Sequence, residues 1–238
     1  MATSYLLRPA DEAHRLLALR PYQLITAEPD PLLDEVVRLT ASLFSTPIAI
    51  VALVEDTTVH FGLNVGLPAG TQRERREESV CSVAILQEET TVYENLPINP
   101  CELAEPGLID RLDLQFYAGH PLLTADRQPV GVLCVLDHHP RQFDYEDRAL
   151  LVRLAELVMQ LMDLRLTSTY KPEVGASMWN RLYDRVEASV NRLGTLAALA
   201  QWEENSETEV AVAYRLSTRE EIGRVLDALQ DMIKQALA

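Results

Sequence analysis

Apolar positions along the chain fall into two rhythms, and the switches between them mark out the elements. Behind Pro31, the residues Leu32, Leu33, Val36, Val37, Leu39, Leu43 and Phe44 recur close to three- and four-residue spacing. That spacing predicts a helix over about 31–45, ended by Thr46 and Pro47. A shorter amphipathic turn over 11–19 has Asp11 as its N-cap and Pro21 as its stop. Ile48 to Val54 is a near-continuous apolar run, the mark of a buried strand; Glu55 to Thr57 reads as a turn and Val59 to Phe61 as the returning strand. Gly62, Gly66, Pro68, Gly70 and the run RERREE predict a long exposed loop ending near Glu78. Ser79 then opens a short helix through VCSVAILQ, and Thr90 to Tyr93 is a short strand. Pro97, Pro100 and Pro106 make 95–106 irregular. Strands at 114–122 and 130–136 flank the turn ADRQP, and Asp144 caps a helix over 145–166 with a wide leucine stripe.

Beyond this the pattern changes. LTSTYKPEVGAS, with Pro172 and Gly175, reads as a polar hinge, followed by a helix over 177–203 that EENSETE breaks. Residues 210–216 alternate like a short strand but equally prolong a helix. Ser217 and Glu220 form a capping box for a last helix over 217–237. The order predicts an α/β (α+β) fold: a central antiparallel sheet flanked by helices, plus a C-terminal helical module. The segments are 1–12, a sensor-like domain at 13–166, a hinge at 167–176 and a helical module at 177–238.

Charge narrows the partners. The 238 residues carry 21 basic and 36 acidic side chains, a formal charge of −15. Such a chain repels nucleic-acid backbones and anionic lipid, and favours a neutral or cationic small ligand or a protein partner. Lys171 and Lys234 are the only lysines, so a Schiff-base lysine or a phosphate-loop lysine is excluded from the first two thirds. Cys81, Cys101 and Cys134 match neither a disulfide framework nor a zinc pattern. No run of about 18 apolar residues and no basic-then-apolar leader is present, which gives a cytoplasmic expectation.

Several landmarks between 13 and 166 occur in a recognisable order. They are LF-x-x-PIA at the end of the 31–45 helix, the strand pair with its closing GL, SVCSVAILQ, FYAGHPL at 116–122, GVLCVLD at 131–137, and HHPR leading into FDYEDRALL. In this set the chain resembles bacterial GAF domains. The resemblance implies a sensory module with a pocket on one sheet face, roofed by 79–87 and 95–113. It implies a floor of Val51, Phe116, Ala118, Leu133 and Val135, with Phe61, Cys81 and His120 added as ligand-binding candidates. Flanking helices of the family commonly build a dimer, here expected through 145–166 and 217–237. The cyclic-nucleotide signature of the family is missing, and Cys81 is followed by Ser82 rather than His. Cyclic nucleotide and covalent bilin are therefore disfavoured, and the cofactor is unknown.

Cys81 and Cys134 fall on the roof helix and the last strand, where they read either as small buried hydrophobes or as a redox pair. His120 reads as a ligand contact or as a side chain that satisfies a roof carbonyl. Asp137 is expected to cap the turn before His138 and His139, which point to opposite faces and so do not share a metal. Arg73, Arg75 and Arg76 read as a solvated loop or as an anion clamp. No Gly-rich phosphate loop, serine elbow or paired acid–base carboxylates are found, and no His follows His139, so no catalytic residue is assigned. The expectation is a small-molecule-sensing or protein-interaction module without its own catalysis. The alternative is a thiol-based redox sensor or enzyme using Cys81 and Cys134.

Overall fold

A computed structural model describes residues 7–26, 30–105, 107–170, 176–202 and 208–237. They form two compact units that divide between Met159 and Gln160. In the first unit, helices α1 (Glu12–Ile25) and α2 (Pro31–Leu43) precede the hairpin β1 (Ile48–Val54) and β2 (Thr58–Val65). A short strand β3 (Arg73–Arg75), a single 3₁₀ turn (Arg76–Glu78) and α3 (Val80–Ala84) follow. Then come β4 (Thr91–Tyr93), α4 (Leu108–Arg111), β5 (Phe116–Leu123), β6 (Pro129–Asp137) and α5 (Tyr145–Tyr170), whose residues from Gln160 on belong to the second unit.

The six strands make one antiparallel sheet in the order β3-β2-β1-β6-β5-β4. Local chemistry sets the helix starts. The Asp30 carboxylate accepts from the Leu32 and Leu33 amides, with Pro31 at the first helical position. Asp144 and Asp147 cap each other's amides at the head of α5.

The sheet has two unlike faces. On one, Phe116 stacks on Phe143 at 5.7 Å between ring centroids, and Phe143 on Phe44 at the end of α2 at 5.3 Å. The register puts Val51, Leu133 and His120 side by side on this helix-covered face, and Ala118 beside Val135. The opposite face carries Ile48, Ile50, Phe61, Tyr117, Cys134 and Leu136 into a cluster with Val80, Cys81, Ala84 and Ile85 of the α3 region. Parity decides the face, because successive side chains of a strand point to opposite sides.

The second unit contains α6 (Ala176–Trp202) and α7 (Glu209–Leu237). Val186, Val190, Leu193 and Ala197 of α6 are buried, as are Ile222, Val225, Leu226, Leu229 and Ile233 of α7. Arg192 of α6 pairs with Glu221 of α7.

Four expectations change. Pro21 does not stop α1 but lies inside it. It withdraws one amide, that facing the Leu17 carbonyl, on a side of the helix where Leu17 is 55 % exposed. Residues 210–216 are helical, the second of their two readings, and α7 runs unbroken through Ser217, so the strand and the capping box do not form there. Seven residues of alternation are too few to outweigh the helix-forming Ala211, Ala213, Arg215 and Leu216. The helix at 145–166 extends to Tyr170, four residues into the expected hinge, whose residues 171–175 lie outside those described. Finally, RERREE is not a solvated loop: it forms β3 and the 3₁₀ turn, with Glu74 and Arg76 buried.

Candidate functional site

Between the apolar cluster and the solvent lies a cavity of about 340 Å³, formed almost wholly by the segment from Leu96 to Leu114. Its apolar lining is Val80, Leu96, Pro97, Pro100, Cys101, Ala104, Ile109 and Leu114. Every charged side chain of the lining is acidic: Glu78, Glu105, Asp110 and Asp113. Pro97 and Pro100 keep this stretch from joining the sheet, and its backbone hangs from a few bonds. The Leu96 amide donates to the Gln115 carbonyl at 2.8 Å, and the Glu105 amide to the Glu77 carbonyl at 2.7 Å.

RERREE is the clasp that holds this roof and α1. Alternation along β3 turns Glu74 inward and leaves Arg73 and Arg75 exposed. The Glu74 carboxylate accepts from the Leu108 amide at the start of α4 and from Arg111, the latter at 3.0 Å. Gly107 is required here, since a Cβ would strike the Glu74 carboxylate and the Glu78 backbone. Burial raises the Glu74 carboxyl to about 7, against the opposing pull of the Leu108 amide and Arg111.

Two residues on, Arg76 points the other way. It donates to Glu12, to the Leu7 carbonyl at 2.8 Å and to the Glu55 carbonyl at 2.9 Å. Arg15, fully buried, holds the same Glu12 carboxylate at 2.8 Å. Burial would raise the Glu12 carboxyl, but the two guanidiniums overturn this and hold it at about 2. The arginines expected as an anion clamp are thus taken up by the chain's own groups: Arg73 by Glu55, Arg75 by Glu77 and Glu78, Arg76 by Glu12.

Below the roof, the Cys81 and Cys134 sulfurs stand 3.8 Å apart, and the Tyr117 hydroxyl donates to Cys81 Sγ at 3.5 Å. Gly119, opposite Cys134 on β5, leaves the space the Tyr117 hydroxyl needs. Burial pushes the Cys134 thiol and the Tyr117 phenol up, whereas the hydrogen bond from Cys134 pulls Cys81 down.

The eight expected ligand residues do not assemble around this cavity. Val51, Phe116, Ala118, His120, Leu133 and Val135 lie on the helix-covered face, one register step from the roof side. Phe61 and Cys81 lie on the roof side, buried in the apolar cluster. β1 buries both faces and β5 and β6 nearly so, and no polar alternation marked which parity faced the roof. His120 meets Thr90 Oγ1 at 3.0 Å, and burial lowers it to about 4. Asp137 caps its turn, accepting from the His139 amide at 3.1 Å and from Arg141 at 2.5 Å. The roof segment itself, expected at 95–113, supplies most of the lining; Glu78, Glu105, Asp110 and Asp113 were not singled out from the sequence. Glu78 ends the charge run, and the other three stand within or just after the proline-punctuated stretch, with no further signal to mark them. Among the described residues no cluster of three metal-ligating side chains occurs, and no helix is long and apolar enough to cross a membrane.

The family model described as the GAF domain matches residues 28–162. The chain is similar to a cyclic di-GMP phosphodiesterase of Pseudomonas aeruginosa, 29% identical over 194 residues, which cover 81% of this chain and 33% of that protein. The chain therefore spans about a third of that relative's length. Among solved structures it resembles the GAF domain of an Acinetobacter phosphoenolpyruvate-protein phosphotransferase (18% identity, TM-score 0.48, covering 68% of this chain and 98% of that one). It also resembles a free methionine-R-sulfoxide reductase from Neisseria meningitidis (19% identity, TM-score 0.46, 61% and 86%).

Proposed function

The chain belongs to the GAF domain family, and on that footing we propose that it senses a small organic cation with an apolar body and performs no catalysis of its own. The observation that carries this reading is the cavity, whose apolar wall is joined by four acidic residues and by no basic one; Glu78 is paired with Arg75 and Arg111, which leaves Glu105, Asp110 and Asp113 as the counter-charge. The wall buries the ligand's hydrocarbon part, and these three acids steer and orient its cationic head. Formal charge supports the same sign: residues 1–166 hold 13 arginines against 25 acids. A ligand seated here touches the roof from both ends of its attachment, at Leu96 and at Leu114. Binding is thereby converted into a population shift of the roof.

The relative from Pseudomonas aeruginosa is a phosphodiesterase, and this chain matches a third of it. The proposal gives this chain the regulatory rather than the hydrolytic part of such a signalling system. No homodimer through 145–166 or 217–237 is needed to cover their apolar stripes. Leu151, Leu154, Leu157 and Val158 of α5, and Leu226, Leu229 and Ile233 of α7, are already buried within one chain.

Native mass spectrometry of freshly purified protein, paired with thermal shift, tests the reading. An aryl-alkyl ammonium probe is expected to raise the melting temperature, and its neutral alcohol isostere to do so far less. Replacing Asp110 and Asp113 by Asn should erase the difference. Equal binding of the alcohol, or tighter binding of the matching carboxylate, would overturn the proposal.

A further inference from the structure

The thiol pair beneath the roof invites a chemistry that ligand sensing does not use. Cys81 is 4 % exposed on α3, Cys134 is fully buried on the central strand β6, and 53 residues separate them in sequence. A disulfide needs its sulfurs about 2 Å apart, and these two stand 3.8 Å apart across the contact of α3 with β6. The pair is also asymmetric. Cys81 Sγ receives the Tyr117 hydroxyl at 3.5 Å and faces the Cys134 thiol, two donors that favour its thiolate. Cys134 pairs in register with Ile50 and Gly119 and faces Cys81, and burial pushes its thiol up.

Neither cysteine lines the cavity, but Val80, the neighbour of Cys81 on α3, does. Val80, Leu96 and Leu114 line it and belong to the same apolar cluster as both cysteines. Helix α3 has only five residues, all of them buried, and Ser79 makes no side-chain capping bond, so peroxide reaches Cys81 when this single turn lifts from the cluster.

We propose that Cys81 and Cys134 form a redox-sensitive pair that hydrogen peroxide converts into a disulfide tying α3 to β6. The Cys81 thiolate attacks one peroxide oxygen, the O–O bond breaks, and the departing hydroxide takes a proton to leave as water. Cys81 is then a sulfenic acid. The Cys134 sulfur attacks the Cys81 sulfur, its proton goes to the leaving hydroxyl, the S–O bond breaks and a second water departs. Two thiols are oxidised by two electrons, and one peroxide is reduced to two waters. A dithiol reductant reverses the change. The product fixes the roof helix to the sheet, so the oxidised chain has a stiffer cavity wall than the reduced one.

The test is peroxide treatment of the reduced, full-length chain, followed by alkylation after unfolding and non-reducing peptide mass mapping. The expected product is a Cys81–Cys134 peptide pair lacking two hydrogens, restored by dithiothreitol, with the oxidised chain melting higher than the reduced one. Cys134→Ala should stop the reaction at Cys81, which dimedone then labels. Cys101→Ala should leave the cross-link unchanged, although Cys101 lines the cavity. The proposal fails if Cys81 and Cys134 stay alkylatable under conditions that oxidise Cys101. A cross-link that contains Cys101, or dimedone at Cys134 in the wild type, also overturns it. No cavity ligand enters the experiment, so its result stands apart from that of ligand sensing.

Discussion

The two faces of the sheet are built from equally apolar strands, yet they have become different materials. On the helix side, Val51, Phe116, Leu133 and Val135 are at most 1 % exposed, and the Phe44–Phe143–Phe116 ring series closes the space. On the roof side, the covering elements are a five-residue and a four-residue helix joined by a proline-punctuated segment, and a cavity persists. Long helices offer a continuous apolar stripe to a sheet; short ones leave gaps that backbone amides and buried polar groups must bridge. The difference teaches that strand hydrophobicity sets burial, whereas the length of the cover decides which side is left adaptable.

The largest expected contrast is in packing. Leu133→Ala removes a fully buried side chain from the closed face and should cost about 3 kcal/mol. Ile109→Ala, on the cavity wall, already lacks neighbours on one side and should cost less than about 1 kcal/mol. Urea unfolding of both variants checks this, and equal costs would break the distinction between the faces.

Next comes the clasp. Glu74→Ala strips the Leu108 amide of its acceptor and should cost about 2 kcal/mol, with faster hydrogen exchange across 104–112 and no change in the helix-covered strands.

The smallest effect is one of sign. Glu74, raised to about 7, gives stability that is complete below the ordinary carboxyl value and is lost as pH climbs through 7. His120, lowered to about 4, does the reverse: its contribution is complete above the ordinary imidazole value and is lost as pH falls through 4. His60, lowered chiefly by burial, acts in the His120 sense. Between about pH 4.5 and 6.5 the two faces therefore oppose each other, and the wild-type stability should be nearly flat. Glu74→Gln should expose a rise of stability with pH in that window, and His120→Asn a fall. Denaturation midpoints at several pH values decide it.

Much of this architecture was legible in the residues. Aspartate and proline at positions 30 and 31, the apolar run of β1 and the leucine stripe of α5 each announce their element locally. The resemblance to GAF domains set the order of the parts. What could not be read was parity. Strands buried on both faces carry no polar marker, so a floor chosen one residue out of step fell on the helix side. The charge run RERREE also misled, because a three-residue strand turns alternate charges inward, and only partners distant in sequence, Glu12, Leu108 and Arg111, reveal why. The cavity's acidic lining belongs to the same class: its members are ordinary loop residues until the fold gathers them.

One plain feature of the sheet governs what this molecule can do in company. Both outer strands, β3 and β4, are three residues long, and β3 presents arginines at its two exposed positions. Neither border offers the long, flat row of amides and carbonyls on which a further strand would crystallise. Short borders of this kind give an incoming strand few groups to pair with, so the helices and the roof are the larger surfaces for any partner.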